Sequence, residues 1–233
     1  MRLFCFPFAG GAASVFADWS SELPDNVQVC GVQLPGRQNR ISETPYGDLS
    51  VLVDDLSEAF EDYCDLPFAL FGHSMGALIA FEFARELRRK NLPSPVHLFV
   101  AGYAAPQLRR WQRPLHDLSD RELILALHHF RGTPQHVLQN EQLMQMMLPV
   151  LRADFSLCET YVYQPEQPLP FPVTAVGGLS GDVSRSELQG WAEQTTGDFR
   201  VEMFSGDHFF LTTARTPLLQ LISEQLQRRT RTY

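Results

Sequence analysis

The chain has 233 residues, of which 44% are apolar, 20% charged and 11% aromatic, the make-up of a globular domain. That composition excludes the disordered, collagen-like and disulfide miniprotein classes, and a chain of ~200 residues or more buries roughly 70% of its unfolded surface, so it needs no covalent staples. A formal net charge of −8 disfavours nucleic acid and anionic membrane surfaces as partners. Cys5, Cys30, Cys64 and Cys158 form no C-x-x-C pair, and Cys5, Cys30 and Cys158 lie in apolar runs. That pattern implies buried thiols in a reducing compartment and no zinc cluster. The opening run is too short for a signal peptide, and no later run nears the ~18 apolar residues of a membrane span, so a cytoplasmic location is expected.

In chain order, short β-rich apolar runs at 3–8, 27–34, 68–71, 96–100, 173–176 and 201–204 predict strands. Helical patterns separate them: Leu49, Leu52, Val53, Leu56 and Phe60 keep a helical period, and 76–87 is apolar on nearly all sides, as a central helix should be. Such alternation predicts an α/β fold with a parallel sheet covered by helices. Residues 109–163 break the rhythm with helical patterning alone, which predicts a helical lid insertion in a single domain spanning 1–233. Its first helix should open on a Ser119/Glu122 capping box. Pro165, Pro168, Pro170 and Pro172 predict an extended return to the sheet. Thr216 and Pro217 predict the cap and first turn of a closing helix.

Residues 68–81 read as strand, Gly72-His73-Ser74-Met75-Gly76, then helix. A turn that sharp strains the serine backbone and presents its hydroxyl at a helix N-terminus, where the Met75 amide can meet an oxyanion. The plain alternative is a glycine-bracketed turn with an incidental serine. A serine nucleophile needs a base, and Phe204-Ser205-Gly206-Asp207-His208, just past the last strand, supplies His208. His73 adjoins the serine and cannot swing back onto it. Paired His128 and His129 lack a carboxylate at ligand spacing, so no metal site is expected. The orienting acid should follow the preceding strand, where Asp182 stands; Asp182 could instead serve the next helix, which has its own Ser184/Glu187 capping box. Asp207 competes, although it adjoins the base. The loop after the first strand, Pro7 to Ala12, offers a second oxyanion amide, Ala9 first and Gly10 as the fallback.

Together these residues resemble the type II thioesterases of nonribosomal peptide and polyketide synthases, in the α/β-hydrolase superfamily. The likeness spans nearly the whole chain and rests on Cys5-Phe6-Pro7-Phe8-Ala9-Gly10-Gly11, Gln33-Leu34-Pro35-Gly36-Arg37 with Arg40 and Glu43, Gly72-His73-Ser74-Met75-Gly76, Gly132-Thr133-Pro134, the 148–154 run and Gly206-Asp207-His208-Phe209-Phe210. It departs at the acid, where the family's acidic stretch after two glycines is replaced by Leu179-Ser180-Gly181 before a single Asp182. The resemblance implies a Ser74, Asp182, His208 triad, Ala9 and Met75 as oxyanion amides, and a mobile lid over an acyl pocket. It also implies hydrolysis of short or aberrant acyl groups from the phosphopantetheine arm of acyl or peptidyl carrier proteins, with no cofactor beyond that arm.

Carrier domains are usually acidic, and Arg109, Arg110 and Arg113 open the lid on the active-site side, so they are docking candidates; a solvated surface is the alternative. Arg85, Arg88, Arg89 and Lys90 are accounted for by the C-terminus of the central helix. Met144 and Met147 could form an adaptable acyl-binding wall or ordinary helix core. An acyltransferase, a free acyl-CoA thioesterase and an inactive carrier-binding scaffold are the competing functions, and a monomer is expected.

Overall fold

A computed structural model describes residues 1–108, 114–130 and 135–230. Six strands, β1 (Arg2–Phe6), β2 (Gln28–Gly31), β3 (Phe68–His73), β4 (Leu98–Ala101), β5 (Val173–Gly178) and β6 (Phe199–Phe204), form one sheet in the order β2-β1-β3-β4-β5-β6. Every pairing is parallel. Because β2 lies to one side of β1 and β3 to the other, the order reverses between β1 and β3. In such sheets the crevice beyond the carboxyl ends of those two strands is where ligands bind.

All six expected strands are present, with different ends. β1 stops at Phe6 because Pro7 has no N–H for the ladder. β2 is only four residues long, an edge strand with half-exposed side chains. Cys30 sits there half-buried, not in the core as its apolar neighbours suggested, while Cys5 and Cys158 are buried and all four cysteines are free thiols.

Helix α1 (Leu49–Phe60) starts at Asp48, whose carboxylate accepts the Ser50 and Val51 amides, and buries Leu49, Leu52, Val53 and Phe60. Helix α2 (Met75–Arg89) is buried at every residue from Met75 to Arg85, as a helix in the centre of a two-sided fold must be. These two helices pack with Phe4, Phe6, Leu70, Leu98 and Val100 on one face of the sheet. On the other face, Leu3, Phe71, Phe99 and Val176 meet Phe16, Trp19 and the apolar side of the closing helix.

Between β4 and β5 the described residues form no strand. They hold α3 (Asp120–Phe130), α4 (Gln135–Leu138) and α5 (Glu141–Glu159). The Ser119/Glu122 capping box is formed in both directions. Leu123, Leu127, Met144, Leu148 and Leu151 give these helices a small core of their own. The second half of α5 is fastened to the body instead. Leu157 and Cys158 join the main core, and Ser156 donates to the Gly47 carbonyl at 3.0 Å; Glu159 instead ties α5 to the start of the lid, accepting the Leu115 and His116 amides. Pro149 lies inside α5, between the two halves.

The proline-rich return is held by side chains the sequence had accounted for otherwise. Arg85 donates to the Gln164 carbonyl at 2.6 Å, and Arg88 and Arg89 bind Glu166 at 2.6 and 2.7 Å. These arginines therefore clamp the segment leaving the lid, beyond any effect on the end of α2. After β5 come α6 (Arg185–Gln189), with its Ser184/Glu187 capping box formed, and after β6 come α7 (Phe210–Thr213) and α8 (Arg215–Thr230). Helix α8 begins at Arg215, so Thr216 is not its cap; the Thr216 hydroxyl donates to Glu22 at 3.0 Å. Pro217 falls at the third helical position, where a missing N–H still costs nothing. Among the described residues no helix is long and apolar enough to cross a membrane.

Candidate active site

Ser74 sits between β3 and α2 with φ 54° and ψ −118°, a backbone conformation that L-residues rarely adopt. Two neighbours make the turn possible. A β-carbon on Gly72 would lie 2.0 Å from the Gly76 carbonyl oxygen, and one on Gly76 would lie 2.1 Å from that of Phe6. Both positions thus require glycine, and Ser74 is brought against the end of β1. Its amide donates to the Ala101 carbonyl at 2.7 Å, which ties the turn to β4. The Ser74 hydroxyl caps nothing, so it is available for chemistry. Met75 is the first residue of α2, and a first-turn amide has no partner within its own helix.

His208 stands in the loop between β6 and α7. The His73 ring is the hub that holds this loop beside the nucleophile: its Nε2 lies 2.8 Å from the His208 carbonyl oxygen. A carbonyl only accepts, so His73 carries its proton on Nε2. Phe8 from the β1 loop packs edge-on to the His73 ring at 5.5 Å, and His208, Phe209 and Phe210 surround it at 5.0, 5.9 and 5.8 Å. Gly102, just past β4, closes the cluster, since a β-carbon there would lie 3.1 Å from His73 Nε2 and 3.5 Å from His208 Cε1. The motif's histidine, dismissed in sequence as unable to act on the serine, is the piece that joins three loops.

Complete burial lowers the His73 pKa to about 3, with the nearby His208 adding to the effect. The unfolded chain takes up this proton near pH ~6.5, whereas the folded protein does not until far lower. Stability is therefore lost as pH falls from about 6.5 towards 3. His73→Gln keeps a donor for the His208 carbonyl and removes the titration. Urea unfolding of parent and variant between about pH 6 and 4 should differ in slope by roughly 1.4 kcal/mol per pH unit; identical slopes would show that His73 titrates normally.

The acid candidates separate by their surroundings. Asp182 lies exposed in the loop after β5, and that loop is bound to the base loop: Leu179 and Ser180 amides donate to Phe204 and Gly206 carbonyls at 2.8 and 2.9 Å. Gly178 packs so tightly there that a β-carbon would lie 2.1 Å from the Asp207 carbonyl oxygen. Asp207 is occupied otherwise, its carboxylate accepting the Phe209 amide at 2.8 Å, which starts the turn into α7.

In the β1 loop, Gly11 donates to Phe8 at 2.8 Å, making a tight turn. The Gly10 amide is committed to Asp154 Oδ2 at 2.7 Å, which removes the fallback oxyanion donor and leaves Ala9. Asp154, on α5, is 1% exposed and forms a two-pronged pair with buried Arg37 at 2.9 and 2.7 Å. Burial pushes the Asp154 carboxyl up, against the downward pull of Arg37. Arg37 also donates to the Gly11 carbonyl at 3.0 Å and the Pro35 carbonyl at 3.2 Å. Both residues belong to segments that stood out in sequence, but nothing in their spacing showed that they meet.

The two lid methionines part company. Met144 is 2% exposed, packed into the lid's own core. Met147 lines an apolar groove of about 160 Å³ with Gly10, Gly36, Ile41, Met146 and Val150. Arg109, Arg110 and Arg113 lie outside the described residues, as do Gly132, Thr133 and Pro134. Among the described residues no group of three histidine, cysteine or acidic side chains is placed to hold a metal.

The thioesterase domain profile matches residues 1–226. The chain is 44% identical over 228 residues to the gramicidin S biosynthesis protein GrsT of Aneurinibacillus migulanus, covering 97% of this chain and 89% of that protein. It is 36% identical over 228 residues to thioesterase PikA5 of Streptomyces venezuelae, covering 97% and 81%. Among solved structures, RedJ, a thioesterase from the prodiginine pathway of Streptomyces coelicolor, superposes with a TM-score of 0.91 at 39% identity, over 97% of this chain and 90% of that one. The serine elbow, the parallel sheet and these similarities agree, and the chain belongs to the thioesterase domain family of the α/β-hydrolase fold.

Proposed function

We propose that this thioesterase removes short or aberrant acyl groups from the phosphopantetheine arm of carrier proteins in a nonribosomal peptide or polyketide pathway. The strained Ser74 at the head of α2 carries the proposal. Ser74 attacks the thioester carbonyl while His208 takes its proton, and the developing oxyanion is met by the Met75 and Ala9 amides. His208 then returns the proton to the departing thiolate. Water, activated by the same base, releases the acid from the acyl-enzyme. Asp182 is proposed to hold the imidazole in the reactive tautomer. The chain needs no cofactor in this scheme, since the substrate brings its own arm. The gramicidin S and prodiginine biosynthetic relatives support carrier proteins as partners.

Carrier recognition is tested by comparing one acyl group on an acidic carrier, on coenzyme A and on pantetheine. All three present the same thioester, but only the carrier adds a protein surface whose charge speeds encounter and positions the arm. The carrier form should have the higher kcat/KM, by about tenfold or more at low salt, with the advantage shrinking as ionic strength rises. Charge reversal at Arg109, Arg110 and Arg113 should lower only the carrier value. A parent enzyme with no carrier preference would indicate a free acyl-thioester hydrolase. Equal losses on all three substrates would assign those arginines to the lid.

A further inference from the structure

We infer that Asp154 is a positioning residue for the reaction, holding the loop that carries the Ala9 oxyanion donor. This rests on the reading of Ser74 as nucleophile with Ala9 and Met75 as donors. An oxyanion donor is effective only when it is set in place before the charge develops. The β1 loop is poorly suited to holding itself: Gly10 is at φ +76°, and the Gly11-to-Phe8 bond is local. Phe8 packs on the His73 ring, but the long-range hydrogen bonds to the glycines come from Asp154 and Arg37. Asp154 Oδ2 takes the Gly10 N–H, and Arg37 Nη1 takes the Gly11 carbonyl.

The peptide unit is planar, so fixing the Gly10 N–H fixes the whole Ala9–Gly10 plane. The Ala9 N–H is then only two backbone rotations away from a group pinned by a buried carboxylate. Beneath the loop, Leu151 leaves no slack, because a β-carbon on Gly10 would lie 2.8 Å from its Cδ2. Asp154 and Leu151 sit one turn apart on α5, beyond Pro149. A buried ion pair is a poor device for stability alone, since well-packed apolar replacements are often neutral or better. Placed on the peptide next to an oxyanion donor, it serves geometry.

The double substitution Arg37→Met with Asp154→Leu removes both charges and leaves neither ion buried alone. The thermal midpoint should stay near the parent's and KM for an acyl-pantetheine should move less than about threefold. The kcat should fall at least ~30-fold, a large part of the ~10²–10³ attached to one oxyanion donor. Two inhibitors supply a readout that a merely structural role would not move. A trifluoromethyl ketone analogue of the thioester forms an anionic adduct with Ser74, and the matching thioether without a carbonyl does not. The ketone's advantage should shrink by the same factor as kcat, with thioether affinity unchanged.

A folded double variant with parental kcat, or equal weakening of both inhibitors, overturns the inference. If the double variant does not fold, Arg37→Gln with Asp154→Leu decides, since it removes the acceptor of the Gly10 N–H and leaves no buried charge alone. It should lower kcat and the ketone's advantage together, and parental values overturn the inference. Failure of the Ser74 reading would be seen separately, as no ketone advantage in the parent enzyme.

Discussion

Ser74→Ala is expected to give a folded protein that binds acyl thioesters and does not hydrolyse them. The substitution removes the one oxygen that forms the acyl-enzyme, and triad members act as a unit, so the loss in kcat should be on the order of 10⁶. The fold should not notice. The Ser74 side chain caps nothing in α2, alanine meets the same strain at φ 54°, and substitutions that remove no packing or hydrogen bond stay within ~0.5 kcal/mol. His208→Ala should be similarly inactive. Intact-mass measurement of an acyl-loaded carrier, before and after incubation with folded Ser74→Ala, reads the result. More than a trace of deacylation would remove Ser74 from the mechanism.

Asp182→Asn should reduce kcat by up to ~10⁴ with little change in KM, because an amide at that position favours the wrong imidazole tautomer and cannot balance the imidazolium. Asp207→Asn should be close to the parent, since asparagine can still accept the Phe209 amide that Asp207 holds at 2.8 Å. The pair of variants is decisive as a pair. A crippled Asp207→Asn beside a near-normal Asp182→Asn would transfer the role of orienting acid to Asp207.

Features encoded within a few residues were legible in the sequence. The nucleophile elbow needs Gly72, Ser74 and Gly76 in one strand-turn-helix frame, which the local spacing marks even though Gly76 is required by its approach to distant Phe6. The capping boxes at Ser119 and Ser184, likewise local, formed as expected. What escaped were contacts between distant segments. Arg37 and Asp154 are 117 residues apart, and no periodicity links them. His73 was legible as part of a motif, but its bond to the His208 carbonyl spans 135 residues. Arg85 and Arg89 looked sufficient as helix-end charges until Glu166, from beyond the lid, proved to lie between them. Cys30 misled because an apolar run says nothing about whether its strand is central or at the edge.

Pro149 gives α5 an uneven stiffness. Proline cannot donate to the Gln145 carbonyl, so the helix lacks one rung there and bends at that point for less energy than anywhere else along its length. Residues 141–148 lean on the small lid core, whereas Asp154 and Ser156 are bonded to the body at Gly10 and Gly47. A bend at this joint would carry residues 141–148 without disturbing the Asp154 bond to the Gly10 amide. In mechanical terms the helix is a two-part lever, with a compliant outer arm on a root anchored to the sheet's first loop.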